Sequence, residues 1–288
     1  MTDRPAGALV LVGTPIGNLG DLSPRAIEVL RSADVIAAED TRRTRVLLSH
    51  AGIPAGRRLR AVHARNEAAQ APRIVDEVRS GARVAVVTDA GMPGISDPGG
   101  VLVRDCLDAG LPVEAVPGPS AALTALVLSG LPADRFVFEG FLPRKGRARA
   151  ERLSAVARES RTTVLFEAPT RVRTTLVDLA GACGGQRPVA VARELTKAFE
   201  EVWRGTLATA ASHVERSEPR GEHVIVVGPA PERAPAGNAE VEAAVRAALA
   251  DGRSARDAAS DVADALGVAR RRAYEAATRL KESRRRGG

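Results

Sequence analysis

Three apolar runs near the start of the chain each end in a turn rich in glycine, proline and acidic residues. They span residues 9–20 (LVLVGTPIGNLG), 84–100 (VAVVTDAGMPGISDPGG) and 113–121 (VEAVPGPSA). Glycine and proline at a strand end let a ligand approach the backbone, because glycine tolerates positive φ and proline holds the turn rigid. The carboxyl ends of parallel strands lie at one edge of a sheet. The sequence therefore predicts a pocket built from these three turns.

Apolar runs alternate with helix-like stretches through the first 130 residues. Strands are predicted at 9–13, 35–39, 59–63, 84–88 and 113–116, and helices at 23–32, 66–80 and 99–109. Such alternation is typical of an α/β domain with a mostly parallel sheet. Ser23 followed by Pro24 is a favourable helix start.

A second α/β domain is predicted over residues 131–228. Its strands are expected at 136–142, 162–167, 189–194, 201–205 and 223–228, with helices at 147–158, 171–182 and 208–216. Several of these strands follow one another without a helix, which favours a mixed sheet. The stretch PAPERAPAGN at 229–238 is typical of a linker. Residues 239–288 then hold helical segments at 239–250, 254–266 and 269–286, with helix-turn-helix-like spacing.

Composition excludes several classes of protein. Two cysteines, Cys106 and Cys183, form neither a disulfide framework nor a metal-ligand spacing. No apolar run approaches the roughly 18 residues of a membrane span, and the first residues lack a signal-peptide core. We therefore expect a soluble cytoplasmic protein with no bound metal and no membrane partner.

The charge of the chain favours a nucleic-acid partner. The formal net charge is +7, almost all cations are arginine, and the three lysines are Lys145, Lys197 and Lys281. The predicted nucleic-acid-binding residues are Arg42, Arg144, Lys145, Arg147 and Arg149. Such clusters are also common on solvated surfaces that bind nothing. Aromatic residues make up only 2% of the chain, so we expect arginine and backbone contacts, rather than base stacking, to dominate nucleic-acid recognition.

Six motifs together identify a family. They are GTPIGNL at 13–19, AAEDTR at 37–42, DAGMPGISDPG at 89–99, PGPSA at 117–121, FEGFLPRK at 138–145 and RELTK at 193–197. In order and spacing the chain resembles the ribosomal RNA small-subunit methyltransferase I family, part of the tetrapyrrole-methylase fold group. The resemblance implies 2′-O-methylation of a 16S ribosomal RNA cytidine with S-adenosylmethionine. It also implies two α/β domains with the cofactor in the cleft between them.

The cofactor-binding residues expected from this resemblance lie in the three turns. They are Pro15, Asp89, Ala90, Gly91, Ile95, Ser96, Pro117, Ser120 and Ala121. The ligand needs an apolar slot for adenine, acceptors for its hydroxyl and amino groups, and backbone donors for its carboxylate. An alternative is that Asp89 and Asp97 only cap the turn and the helix that follows Pro98.

Methyl transfer to a ribose oxygen requires that this oxygen, the methyl carbon and the sulfur of the cofactor lie in line, and that the hydroxyl proton is removed. Arginine cannot accept that proton, which draws attention to the lysines. Lys197 is the first candidate, because the charge of nearby Arg193 would favour its neutral amine, and Lys145 is the second. Glu167 is a carboxylate candidate, although it could instead pair with an arginine for structural reasons.

The expected partners are 16S ribosomal RNA or the small ribosomal subunit, and the fold group implies a homodimer. Two alternatives remain open at this stage. One is a methylase of the same fold that acts on a small molecule of the tetrapyrrole type. The other is a non-catalytic RNA-binding module that retains an inactive pocket.

Overall fold

The structure is a computed structural model that describes residues 7–215, 221–231 and 236–286, and the side chains of 281–286 are outside that description. The chain divides into two compact units, of which the first ends at Ala230 and the second begins at Pro231. Both sheets lie in the first unit. The two-sheet α/β fold class with a helical C-terminal region is therefore confirmed.

The first sheet has five parallel strands in the order β3-β2-β4-β1-β5. The strands are β1 (Ala8–Val12), β2 (Val35–Ala38), β3 (Leu59–Ala61), β4 (Arg83–Val87) and β5 (Val113–Val116). Each coincides with a predicted strand. Because all five are parallel, their carboxyl ends point to one edge.

Five helices belong to this part of the chain: α1 (Pro24–Ser32), α2 (Thr41–His50), α3 (Glu67–Arg79), α4 (Gly100–Asp108) and α5 (Ala121–Ser129). Ser23 caps α1, since its side chain accepts the Ala26 N–H, and proline occupies the first helical position. The predictions for α1, α3 and α4 are confirmed. Helices α2 and α5 were not predicted.

The two faces of the first sheet are buried by different helix pairs. Val10 and Val87 pack with α1 and α2, whereas Leu9, Val84 and Val86 pack with α3 and α4. Alternate residues of each strand thus enter two separate cores, as expected for a sheet covered on both sides.

The second sheet is mixed, with the order β6-β7-β10-β8-β9. Its strands are β6 (Phe136–Phe141), β7 (Thr162–Glu167), β8 (Pro188–Arg193), β9 (Glu201–Thr206) and β10 (His223–Val227). Strands β6 and β7 are parallel, and the other neighbours are antiparallel. This confirms the mixed sheet that the missing crossover helices indicated.

Two layers of helices enclose the second sheet. One layer is α6 (Gly146–Arg158), α7 (Val172–Cys183) and α8 (Leu207–Glu215), which pack against Leu165, Val191 and Ile225. The other layer is α5, whose Ala125 and Leu126 pack against the opposite face of the sheet. Helix α5 therefore begins at a turn of the first sheet and lies on the second.

The second unit contains α9 (Asn238–Ala250), α10 (Ala255–Leu266) and α11 (Arg270–Arg286) around an alanine-rich core. The Ser254 hydroxyl accepts the Asp257 N–H at the start of α10, and Gly267 ends that helix with a φ of 65°. Three helices were predicted here, and three are present. Residues 232–235 of the predicted linker lie outside the described residues.

Candidate active site

The three glycine-rich turns are in direct contact. The N–H of Thr14 donates to the Gly91 carbonyl at 2.9 Å, and the N–H of Gly91 donates back at 3.1 Å. A Cβ on Gly13 would lie 2.6 Å from the Gly118 Cα, so no larger residue fits between these two backbones. The predicted convergence of the turns is present in the fold.

A cavity of about 560 Å³ lies between these turns and the second sheet. One wall is formed by the turns after β4 and β5, including Asp89, Ser96 and Pro117. The opposite wall is formed by phenylalanines of β6 and β7 and by the segment after β8 that contains Glu194 and Lys197. The cavity is large enough for a cofactor-sized ligand.

The predicted cofactor residues fall almost entirely on this cavity. Eight of the nine line it: Asp89, Ala90, Gly91, Ile95, Ser96, Pro117, Ser120 and Ala121. The ninth, Pro15, lines an adjoining cavity of about 560 Å³ that shares Asp89, Ala90 and Lys197 with the first.

Strained backbone is concentrated around the cavity. In the described ranges, the non-glycine residues with positive φ are Ser96 (63°), Glu194 (50°) and Thr196 (65°). Ser96 and Glu194 line the cavity, and the Thr196 hydroxyl accepts the Asn18 N–H at 3.1 Å from the first turn. Such conformations cost roughly 1–3 kcal/mol each and tend to occur at functional sites.

Several acidic side chains lie close together at the carboxyl edge of the first sheet. Asp89 Oδ1 accepts the Asp40 N–H, and Glu39 Oε2 accepts the Asp89 N–H, both at 3.2 Å. Burial raises the pKa of Asp97 to about 7, and the negative charges of Glu39, Glu222 and Asp89 add to the effect. Burial likewise raises the pKa of Glu39. This end of the cavity therefore favours a cation and includes a carboxyl that titrates near neutral pH.

In the structure, Asp97 does not cap the helix that follows Pro98, and Asp89 does not cap its own turn. The N-terminus of α4 is capped by Glu67, whose Oε1 accepts the N–H groups of Gly99 and Val101 at 2.9 Å and of Leu102 at 3.2 Å. Asp89 bonds across to the turn after β2 instead of to its own turn. Asp89 also pairs with Arg43, which lies 3.4 Å from its Oδ2, and both residues line the cavity together with Asp97.

Comparisons with known proteins place this fold in a family. Residues 8–211 match the family described as Tetrapyrrole (Corrin/Porphyrin) Methylases. The chain belongs to that family. Relatives named "Ribosomal RNA small subunit methyltransferase I" include those from Synechocystis (43% identical, 96% of this chain and 99% of the relative) and Mycobacterium bovis (46%, 98% of each). A third, from Xylella fastidiosa, is 53% identical over 77% of this chain and 81% of the relative. The chain thus belongs to the methyltransferase I group of the family as well.

Solved structures show the same fold at low sequence identity. One is diphthine synthase, with a TM-score of 0.61 and 16% identity over 77% of this chain and 90% of that one. Another is the uroporphyrin-III C-methyltransferase of Thermus thermophilus with S-adenosyl homocysteine bound. Its TM-score is 0.56 and its identity 22%, over 77% of this chain and 97% of that one.

In this member of the family, Lys197 is paired differently from the prediction. Its Nζ lies 2.8 Å from Glu194 Oε1, whereas Arg193 pairs with Glu201 of β9 at 2.6 Å. The immediate neighbour of the Lys197 amine is thus a carboxylate rather than the predicted guanidinium. The second lysine candidate, Lys145, is exposed at the start of α6 and does not line the cavity.

Glu167 lines the cavity yet is firmly held by its own surroundings. Its carboxylate accepts the Thr175 hydroxyl at 2.6 Å and the Ala168 N–H at 2.9 Å, and Arg171 lies 3.5 Å away. This is the structural arginine pair that the sequence left open as an alternative.

His223, which pairs with Glu167 across the sheet and lines the cavity, was not predicted as a site residue. Its pKa is lowered by burial, and its Nδ1 donates to the Gly221 carbonyl at 3.1 Å.

Arg149, which was predicted to contact RNA, is largely buried and is held by its own neighbours, so its contact with RNA stays a prediction. Only 8% of this residue is exposed, and its guanidinium donates to Asp178 at 2.7 and 2.9 Å, to the Thr175 hydroxyl at 2.9 Å and to the Pro143 carbonyl at 3.0 Å. Arg149 therefore ties α6 to α7. The other predicted RNA contacts, Arg42, Arg144, Lys145 and Arg147, are exposed on the surface.

The described part of the chain contains no group of three or more His, Cys, Asp or Glu side chains arranged to hold a metal ion. None of its helices is both long and apolar enough to span a bilayer.

Proposed function

We propose that this protein transfers the methyl group of S-adenosylmethionine to a ribose 2′-hydroxyl of 16S ribosomal RNA. The supporting observation is the 43–53% identity to named small-subunit RNA methyltransferases over most of the chain. The finer assignment, by resemblance, is cytidine 1402. A cytoplasmic location would follow from such a substrate.

The cavity suits this cofactor in both shape and charge. Apolar side chains such as Ile16, Ile95 and Leu123 offer a surface for adenine, while Glu39, Asp89 and Asp97 offer negative charge. S-adenosylmethionine supplies a methyl group on a positively charged sulfur, and the carboxylates lower the free energy of a cation in this place. We assign cofactor contacts to Pro15 and to the eight cavity residues named above.

The residues of the second wall would position the hydroxyl and remove its proton. We propose that Lys197 takes up this proton as the neutral amine and becomes an ammonium, with Glu194 Oε1 at 2.8 Å accepting one of its N–H groups and holding it in position. Asp97 is the alternative acceptor that the structure adds, because its pKa of about 7 suits a base at neutral pH. Glu167 and Arg193 act as positioning groups in this scheme, since both are held in ion pairs at the ends of β7 and β8.

The exposed cations Arg42, Arg144, Lys145 and Arg147 are proposed to contact RNA phosphates. We also propose a homodimer. Helix α5 is largely apolar, and its Val127, which does not line the cavity, is exposed on the described surface.

The test is methylation by the purified protein of small ribosomal subunits and of free 16S RNA that lack the modification. With radiolabelled S-adenosylmethionine, we expect label in RNA, and nuclease digestion followed by mass spectrometry should find 2′-O-methylcytidine. Uroporphyrinogen serves as the competing substrate, since a solved relative acts on that class according to its name. Labelling of uroporphyrinogen without labelling of RNA would overturn the proposal.

A further inference from the structure

The few aromatic residues of this chain are concentrated in one place. Of five phenylalanines in the sequence, four line the same cavity: Phe136, Phe138, Phe141 and Phe166. The low aromatic content led to the expectation that stacking contributes little to RNA recognition. Their concentration on the wall opposite the cofactor turns indicates instead that stacking contributes at this one place.

Three of these rings are explained by packing. Phe136, Phe138 and Phe166 lie against the core formed by α5 and the second sheet, and Phe138 meets Phe166 edge to face at 5.0 Å between centroids. Phe141 differs, because 51% of it is exposed although it ends a sheet strand. Its ring is held edge to face by Phe166, with 5.7 Å between centroids. A supported but half-exposed ring is suited to stacking on a planar ligand.

A groove of about 790 Å³ also has Phe141 in its lining. Its polar lining residues are Arg144, Arg149, Thr170, Arg171, Thr174 and Thr175. Arg149 and Thr175 bond to each other and to Asp178 and Glu167. Arg171 is already engaged, since it donates to the Leu142 carbonyl at 3.1 Å and lies 3.5 Å from Glu167. The hydroxyls of Thr170 and Thr174 are hydrogen-bonding groups available to a ligand in this groove.

Arg144 is distinguished from the other arginines of its segment by its lack of an acidic partner. Arg147 pairs with Glu151, Arg149 with Asp178 and Arg152 with Glu139. Within the described residues, Arg144 has no hydrogen bond or ion pair, and it is exposed at the groove. A guanidinium beside hydroxyl groups is a recognition pattern for phosphate.

We propose that Phe141 stacks on the base of the target nucleotide while Arg144, Thr170 and Thr174 bind the neighbouring phosphodiester. Phe141 borders both the cavity and the groove, so a nucleotide held in this way has its ribose at the cofactor cavity. The occupant is single-stranded RNA, because a turned-out base and its phosphate match an aromatic ring beside a cationic groove. The inference deepens the proposed function and rests on it.

The first experiment compares Phe141→Ala and Phe141→Trp with the wild type. Loss of one stacked base is expected to raise the KM for RNA about 5- to 150-fold in Phe141→Ala, whereas Phe141→Trp should remain within a few-fold of wild type. Phe199→Ala is the matched control, because Phe199 is 81% exposed and lines neither the cavity nor the groove. Calorimetry should give unchanged S-adenosylmethionine affinity in all four proteins. A lost cofactor affinity in Phe141→Ala would assign the ring to the donor site and overturn the proposal.

The second experiment tests the groove by measuring how RNA binding depends on salt concentration. Removal of one phosphate contact in Arg144→Ala should weaken RNA binding and lower the slope of log K against log salt by about 0.7. Arg79→Ala is the control, since Arg79 is an exposed arginine on α3 in the first half of the chain.

Binding is measured by fluorescence anisotropy with a labelled single-stranded RNA of 20 nucleotides, so the result does not depend on catalysis. Wild-type affinity in Phe141→Ala and a wild-type salt slope in Arg144→Ala would overturn the inference. Absence of methylation by the wild-type protein would instead contradict the proposed function. Circular dichroism melting of each variant confirms that it is folded.

Discussion

Asp97 shows how a single residue acquires its properties from the fold. The sequence around it, SDPG, is typical of a helix cap, yet Glu67 performs that role from 32 positions away. Asp97 is left half-buried among Glu39, Asp89 and Glu222, and its pKa rises to about 7 from an ordinary 3.8. No local pattern could show this, because burial is the main cause and two of the three charges, Glu39 and Glu222, come from other segments of the chain.

The raised pKa makes Asp97 a source of pH-dependent instability. Between about pH 4 and 7 the folded state binds more protons at this site than the unfolded state, so stability falls as pH rises through that window. Asp97→Asn should therefore raise the free energy of unfolding by about 1–2 kcal/mol at pH 8, after allowance for solvent screening, and by nothing at pH 4. Urea denaturation at pH 4, 6 and 8 measures this. An equal difference at all three values would contradict the assigned pKa.

Lys197→Arg tests the proposed proton transfer, because arginine can still donate an N–H to Glu194 but, unlike a neutral lysine amine, has no lone pair to accept a proton. Single-turnover methylation of RNA should slow by about 100-fold or more, with cofactor affinity retained. Near-normal methylation would show that Lys197 is not the proton acceptor. Asp97 would then be the remaining candidate, and Asp97→Asn should abolish the reaction.

At the scale of elements, the contact between the first and third turns is the feature most sensitive to change. A Cβ on Gly118 would lie 2.7 to 2.9 Å from the Cα, carbonyl carbon and oxygen of Gly13, all of them backbone atoms. Gly118→Ala should therefore cost about 1–3 kcal/mol of stability and weaken S-adenosylmethionine binding at least tenfold. Thermal unfolding and calorimetry measure the two effects.

Gly181→Ala is the matched control for that substitution. Gly181 lies inside α7 with no atom within 4 Å of the added Cβ, so the change should be neutral or stabilise by up to about 1 kcal/mol. A Gly118→Ala protein with the affinity and stability of this control would show that the turns do not need their close contact.

The elements that were predicted and those that were missed differ for physical reasons. Strands such as β7 (Thr162–Glu167) are short apolar runs between clear breaks, and their bounds were predicted correctly. Helix α5 (Ala121–Ser129) has no polar face, so it shows no helical period. Helix α2 (Thr41–His50) follows β2 after two residues and is rich in arginine, and its Arg42 was considered as a phosphate contact rather than as part of a helix.

The site was partly predictable for the same reason. Cofactor-side residues come from turns with a strong local signature, and eight of nine line the cavity. The aromatic wall and the buried role of Arg149 depend on pairing between distant segments, such as Arg149 with Asp178. Such pairings have no local signal in one sequence.

At the scale of the whole molecule, the outer face of α5 bears on the quaternary structure. Val127 of this largely apolar helix is 73% exposed. If the proposed homodimer forms through this face, Val127→Glu should convert it to a monomer, because a charge would be buried without a partner. Sedimentation velocity measures the change. Leu107→Glu, on the 58% exposed Leu107 of α4, should leave the dimer intact, and a dimeric Val127→Glu protein would exclude this interface.

Helix α5 also joins the two halves of the catalytic unit. Its first turn is capped by Ser120 of the donor-side loop, and its Ala125 and Leu126 are embedded beneath the strands that carry the acceptor wall. In the proposed reaction, the distance between the methyl donor and the RNA hydroxyl therefore depends on how α5 packs against the second sheet. Conservative substitutions in the core beneath α5, far from every reacting atom, would therefore change this distance and with it the rate of methyl transfer.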